Sequence, residues 1–314
     1  MAFSIGIAIV ACRGGASDVG EPRFGTVVDL LARPPDKIDL ETRQIRFGRG
    51  DRVHLVRGWS RDEWNPDLDV HYVWAQGRVA AVRFDVLEVR ELQFLVELAP
   101  FPTSRRQRIG VFVNGHRVTR IDPDPGFLEY RFVVPADLLR RGKNTLVFRH
   151  REIGDDRRRL AAGYVSVLLG PNCLPLRPKG IPPEPTGVER TSQALSVRGP
   201  AELAYRLDVP AGAPRLRLRV EAGEEPARFL LGVDGGDSAR EVAELRVSRP
   251  ILGWSATREL SVDLSPWAGR TVVLRFAVYP EPCRSPFATA KIHAAEVLSE
   301  SVPPAATPPE ASER

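Results

Sequence analysis

Apolar and polar positions alternate over short distances along most of this chain. Val79-Ala-Ala-Val-Arg-Phe-Asp-Val86, Leu92-Gln-Phe-Leu-Val-Glu-Leu98 and Arg108-Ile-Gly-Val-Phe-Val113 open a series that continues through Tyr130-Arg-Phe-Val-Val134, Thr145-Leu-Val-Phe-Arg149 and Gly163-Tyr-Val-Ser-Val-Leu-Leu169. Runs of this length, rich in β-branched and aromatic residues and bounded by Gly, Pro, Asn and Asp, predict strands. Asn114-Gly115 predicts a type I′ hairpin turn, in which both central residues take positive φ. A second series runs from Leu203 to Leu298, and within it Arg215-Leu-Arg-Leu-Arg-Val-Glu221 alternates strictly. That alternation predicts one apolar and one charged face. Only residues 135–141 and 27–33 suggest helix, and both are short. Many short strands with few helices predict an all-β protein of two tandem antiparallel β-sandwiches, jelly-roll or galactose-binding-like.

At about 150 residues per domain, 314 residues fit two domains. The pattern divides them into residues 1–23 (leader and tether), 24–170 (first sandwich), 171–189 (linker), 190–299 (second sandwich) and 300–314 (disordered tail). The linker reading rests on six prolines in nineteen residues, which remove backbone donors and favour extended chain.

The apolar run Phe3-Ser-Ile-Gly-Ile-Ala-Ile-Val-Ala11 is too short to span a bilayer, but it has the length of a signal-peptide core. It ends at Ile9-Val-Ala-Cys12, which resembles a bacterial lipobox although no Lys or Arg precedes it. Export to the cell envelope or periplasm with lipid on Cys12 is the expectation, and the membrane is met only through that anchor. In an oxidising compartment Cys173 and Cys283 can pair, and two free thiols are the alternative.

Several phrases occur together: Arg57-Gly-Trp-Ser60 with Glu63, Tyr72-Val-Trp-Ala75, Val113-Asn-Gly115, Gly142-Lys-Asn144, Asp156-Arg-Arg-Arg-Leu-Ala161 and Val262-Asp-Leu-Ser-Pro-Trp-Ala-Gly-Arg270. Spread over roughly residues 27–299, they resemble the non-catalytic jelly-roll region that precedes the hydrolase domain in some bacterial sulfatase-like proteins. The resemblance implies an accessory part and a sulfatase-like partner, with a separately encoded or missing catalytic domain as one alternative and a purely structural or protein-interaction module as another.

The chemistry the residues themselves offer is sparse. Cys173-Leu-Pro-Leu-Arg177 fits the minimal pattern at which sulfatases oxidise a Cys to formylglycine, but Leu176 replaces the expected Ser and no acidic metal-binding set accompanies it. No His-Glu-x-x-His, Gly-x-Ser-x-Gly or phosphate loop occurs. No catalytic residue is therefore assigned. The better candidates are Trp59 and Trp64 in the polar stretch Arg57-Gly-Trp-Ser-Arg-Asp-Glu-Trp-Asn-Pro66. Flat rings stack on sugars, and Arg57, Asp62 and Glu63 could orient hydroxyls, so a glycan is the expected ligand. The alternative is that Trp59 caps the sandwich and Glu63 pairs with Arg57. No cofactor is expected, although Asp62, Glu63, Asp67 and Asp69 could hold Ca²⁺ without a defined loop signature. Trp74, Trp254 and Trp267 read as packing residues.

The formal charge of +5 changes little. Of the 45 basic residues 41 are Arg, scattered along the strands and interleaved with acids rather than gathered in one segment. Nucleic acid is not an expected partner, and the basic balance amounts to no more than a solvated sheet face with a weak pull on anionic glycans or membrane surfaces.

Overall fold

The computed structural model describes residues 24–50, 52–104, 106–154, 157–171, 187–191, 194–223, 226–236, 239–247, 257–281 and 288–300. Cys12, Cys173, Cys283 and Trp254, most of the Pro-rich linker and the tail lie outside these residues.

The described chain is all-β and antiparallel, with 3₁₀ turns but no α-helix. It begins with β1 (Phe24–Asp29) and β2 (Lys37–Leu40). The strands of the first sandwich follow: β3 (Gln44–Arg46), β4 (Leu55–Arg57), β5 (Trp59–Asn65), β6 (Val70–Gln76), β7 (Val79–Val86), β8 (Leu92–Pro100), β9 (Ile109–Val113), β10 (His116–Ile121), β11 (Leu128–Val134), β12 (Gly142–His150) and β13 (Leu160–Pro171). Beyond the linker come β14 (Gly187–Arg190), β15 (Leu195–Gly199), β16 (Ala201–Asp208), β17 (Arg215–Ala222), β18 (Ala227–Asp234), β19 (Ala239–Val247), β20 (Arg258–Asp263), β21 (Thr271–Pro280) and β22 (Ala288–Glu300).

In the first sandwich a sheet ordered β10-β9-β12-β7-β4 packs on one ordered β11-β8-β13-β6-β5, with β3 added beside β13. The core between them holds Phe84, Phe94, Val111, Phe148 and Tyr164, all fully buried. In the second, β14-β15-β22-β17-β20 packs on β19-β18-β21-β16-β2 around Tyr205, Leu218, Phe229, Phe276 and Ile292. Strand β17 shows why alternation is a sound guide. Leu216, Leu218 and Val220 enter the core while Arg215, Arg217 and Arg219 face water.

Two local expectations are changed. Residues 27–33 are the end of β1 and a 3₁₀ turn at Leu30–Ala32, capped by the Asp29 carboxylate, which accepts from the Leu31 N–H at 2.8 Å. Residues 135–141 hold only the 3₁₀ turn Ala136–Leu138, because so short a run cannot offset the cost of nucleating a helix. The Asn114-Gly115 turn is as predicted, with φ of 50° and 91°. Its Asn114 Nδ2 donates to Asn144 Oδ1 at 2.7 Å, so two of the phrases noted in the sequence meet in space.

The boundary between the sandwiches is not where the sequence divides. β1 and β2 hydrogen-bond to β22 and β16, so residues 24–40 complete the second sandwich rather than opening the first. Residues 187–190, expected as linker, are strand β14. The chain crosses to the first sandwich between Leu40 and Gln44. Here Glu41 N–H donates to Pro200 O at 3.1 Å and Thr42 N–H to Asp85 O at 2.9 Å. Around this crossing lies a seam of charge. Glu41 and Arg43 are both buried and 3.1 Å apart, and Glu88 bridges Arg90 at 2.8 Å and Arg228 of the second sandwich at 2.7 Å. Glu202 of β16 takes Arg275 at 2.9 Å and Arg141 from the first sandwich. Leu87 packs with Ala277 and Tyr279 beside these ions.

Candidate functional site

The stretch expected to be a polar loop is an edge strand. Gly58, with φ of 78°, turns the chain from β4 into β5, and a Cβ there would lie 2.1 Å from Val79 O. β5 then pairs with β6, and a bulge between Trp59 and Asp62 shifts the register. Charged side chains on an exposed strand discourage further pairing, which accounts for the polar composition.

The five candidate residues fall on different surfaces. Trp59 lies opposite Ala75 and enters the core, 9% exposed. Its Nε1 donates to Ala81 O at 2.7 Å, and its ring meets Phe47 at 5.0 Å and Tyr164 at 5.2 Å. A ring so enclosed has no face for a sugar, so the stacking role expected of Trp59 is corrected to that of a core plug. Arg57 is exposed and lies opposite Ala81, on the outward face of the β10–β4 sheet. Glu63 lies opposite Tyr72 on the outward face of the other sheet. It pairs with Arg158 at 2.6 Å, not with Arg57, and accepts from Trp74 Nε1 at 3.1 Å. Asp62 lies opposite Val73, on the core side of the edge, where it holds Arg52 and the Gly50 N–H, each at 2.7 Å.

Trp64 is the candidate left open. It lies opposite His71 near the tip of the β5–β6 hairpin and is 55% exposed. One ring face rests on His71, with centroids 6.1 Å apart and planes 22° from parallel. Nε1 reaches Asp69 Oδ1 at 3.3 Å, and the tip is tied by Asn65 Oδ1, which accepts from the N–H groups of Asp67 and Leu68. Backing of this kind fixes the ring plane and leaves the opposite face to solvent.

The sequence reading did not find the aromatic cluster on the outward face behind Glu63. Tyr72 and Trp74 meet edge to face at 5.4 Å, Phe127 joins Tyr72 at 5.3 Å and Phe101 joins Trp74 at 5.3 Å. They cover Gly163, where a Cβ would touch Phe127, Trp74 and Tyr72 at 3.3–3.4 Å. Burial and the Glu63 carboxylate push the Tyr72 phenol above its ordinary value. The signal was the alternation Tyr72-Val-Trp74, whose polar-facing partners are aromatic. Trp74 is buried as expected, but on this outer side. Trp267, by contrast, is the packing residue expected, lying against the second core.

The carboxylates suggested for Ca²⁺ do not converge, since Asp62 and Glu63 face opposite ways, and no group of three or more metal-ligating side chains occurs among the described residues. No helix among them is long and apolar enough to cross a membrane.

No family model and no curated protein matches the chain. Among solved structures, it is similar to the tandem CBM22-1–CBM22-2 unit of Xyn10C from Paenibacillus barcinonensis, at 9% identity, covering 85% of this chain and 98% of that one with a TM-score of 0.30. It is also similar to the M60 catalytic domain with CBM51-1 and CBM51-2 from Clostridium perfringens ZmpB, at 10% identity, covering 89% of this chain and 39% of that one with a TM-score of 0.28. The ANXUR2 extracellular domain from Arabidopsis thaliana gives 8% identity, 84% and 94% coverage and a TM-score of 0.27.

Proposed function

We propose that this chain is a non-catalytic glycan-binding protein of the cell envelope, exported and lipid-anchored through Cys12, that docks saccharide rather than transforming it. The observation that carries this is Trp64, held by His71 and Asp69 with one ring face open on a projecting hairpin. An aromatic face of this kind stacks on the apolar side of a pyranose, and neighbouring polar groups select its hydroxyls. Docking is favoured over spacing a sulfatase-like partner in line, because Phe24 lies directly opposite Glu300. Segments attached at the two ends would leave from the same edge of the molecule.

Wild type, Trp64→Ala and Trp59→Ala on a glycan array test this. Trp64→Ala is expected to lose binding by about tenfold while its stability stays within about 0.5 kcal/mol of wild type, as for an exposed substitution. Trp59→Ala is expected to cost about 3–5 kcal/mol of stability by opening a core cavity. Undiminished binding by Trp64→Ala, or no glycan held by wild type, refutes the reading.

A further inference from the structure

The register of the β10-β9-β12-β7-β4 sheet gathers cations that the sequence scatters. Residues directly opposite one another across strands share a face. Arg117 lies opposite Phe112, Phe112 opposite Val147, Val147 opposite Ala81, and Ala81 opposite Arg57. The next row runs Arg120, Gly110, Arg149 and Val79, and the row on the other side joins Thr145 to Arg83. Neighbouring residues Val82, Val111 and Phe148 point into the core, so these rows point outward.

This outward face carries Arg57, Arg83, Arg117, Arg120, Arg149 and Lys143 around a shallow stripe of Phe112, Val147 and Ala81. Asp85, opposite Lys143, and Asp122, paired with Arg120 at 2.8 Å, are the carboxylates beside it. Among the described residues Arg57, Arg83, Arg117 and Arg149 make no ion pair. All but Arg83 of the six cations are exposed, so the second sandwich does not cover the face. At roughly 4.8 Å per strand, the row from Arg117 to Arg57 spans about 19 Å, the reach of several sugar residues. The Arg149 guanidinium lies 4.3 Å above the Phe112 ring, which itself leans over Gly110.

We propose that this face binds an extended anionic polysaccharide, carboxylated or sulfated, as a second saccharide surface distinct from the Trp64 hairpin; the proposal rests on the glycan-binding reading above. The shape argues against other polyanions. Nothing on a flat sheet face projects into a duplex groove. A single strand needs open rings for its bases, and the Phe112 face is taken by Arg149. An anionic bilayer surface would be met best by projecting apolar anchors, whereas Val79, Val147 and Phe112 are half-buried.

The test uses the full chain with a polyuronate, a sulfated polysaccharide, a neutral polysaccharide, a single-stranded oligonucleotide and vesicles containing phosphatidylserine. Arg57→Ser/Arg117→Ser alters only the two edge strands, and adding Arg149→Ser removes the centre. Arg206→Ser/Arg219→Ser/Arg240→Ser removes the same charge from the second sandwich. Wild type should bind an anionic polysaccharide, and the edge variant should weaken it by roughly tenfold, about 1.4 kcal/mol. The second-sandwich variant and Trp64→Ala should keep it. Equal weakening by both sets of Arg substitutions, or binding of the oligonucleotide or vesicles in preference to either polysaccharide, overturns the proposal. If neutral glycan is held through Trp64 while the anionic polymers are not bound, this inference falls and the glycan-binding reading stands. If anionic polymer is held by the face and Trp64→Ala changes nothing on the array, the Trp64 reading falls instead.

Discussion

The first sandwich is made from one stretch of chain, residues 44–171, whereas the second gathers β1 and β2 from residues 24–40 and the remainder from 187–300. Both cores are mainly aliphatic, but the first adds Trp59, Tyr164 and five Phe where the second has only Tyr205, Phe229 and Phe276 buried among the described residues. They differ also in how far along the chain the partners lie. The first can close on contacts within about 130 residues, while β1 must find β22 at the opposite end. Distant partners carry a larger loop-closure cost, so the second sandwich depends on a segment that precedes the first.

Deleting residues 24–40 puts this difference under the greatest strain. It removes two paired strands and the fully buried Leu30, whose side chain alone is worth about 2 kcal/mol. Hydrogen exchange should show amides of β16, β21 and β22 losing protection while those of β7, β8 and β13 keep it. Equal protection in both blocks would mean that the second sandwich is self-sufficient.

A smaller effect is expected at the seam. Burial presses the Arg43 guanidinium below its ordinary value, and Glu41 is what opposes this most. Glu41→Ala therefore strands a buried cation and should cost about 3–5 kcal/mol in denaturant titrations, with Glu41→Ala/Arg43→Met much milder. A single variant no worse than the double would show that the pair is not a unit.

The third test separates the sandwiches by pH. His150, buried in the first core with Nε2 2.9 Å from the Tyr164 hydroxyl, is held down at about 4 by desolvation. The unfolded chain takes up this proton near 6.5 and the folded chain only near 4. Stability is thus intact above about 6.5 and falls as pH drops towards 4, by up to about 3 kcal/mol. Denaturant midpoints of wild type and His150→Phe measured between pH 7 and 4 should diverge in slope. Parallel curves would remove His150 as the cause.

The strands were legible because burial on a pleated sheet has a period of two, which Arg215-Leu-Arg-Leu-Arg219 displays openly. The hairpin at Asn114 was legible because positive φ restricts residue choice. Strand partnership was not, since Lys37–Leu40 carries nothing that names β16. The candidate site was half legible for a similar reason. Trp59 and Trp64 sit in one polar stretch and on the same face of β5, and their position along the strand, Trp59 beside core residue Ala75 and Trp64 near the hairpin tip, decides which ring is enclosed. The basic face was invisible because its six cations are spread over four strands between residues 57 and 149, and only the strand pairing brings them together.

The pairing of β1 with β22 has a mechanical consequence. The strands are antiparallel with Phe24 opposite Glu300, so tension between a tether at residue 24 and a load at residue 300 would pull them directly apart. Hydrogen bonds loaded in this way open one after another like a zipper, at lower force than when a whole strand is sheared along its length.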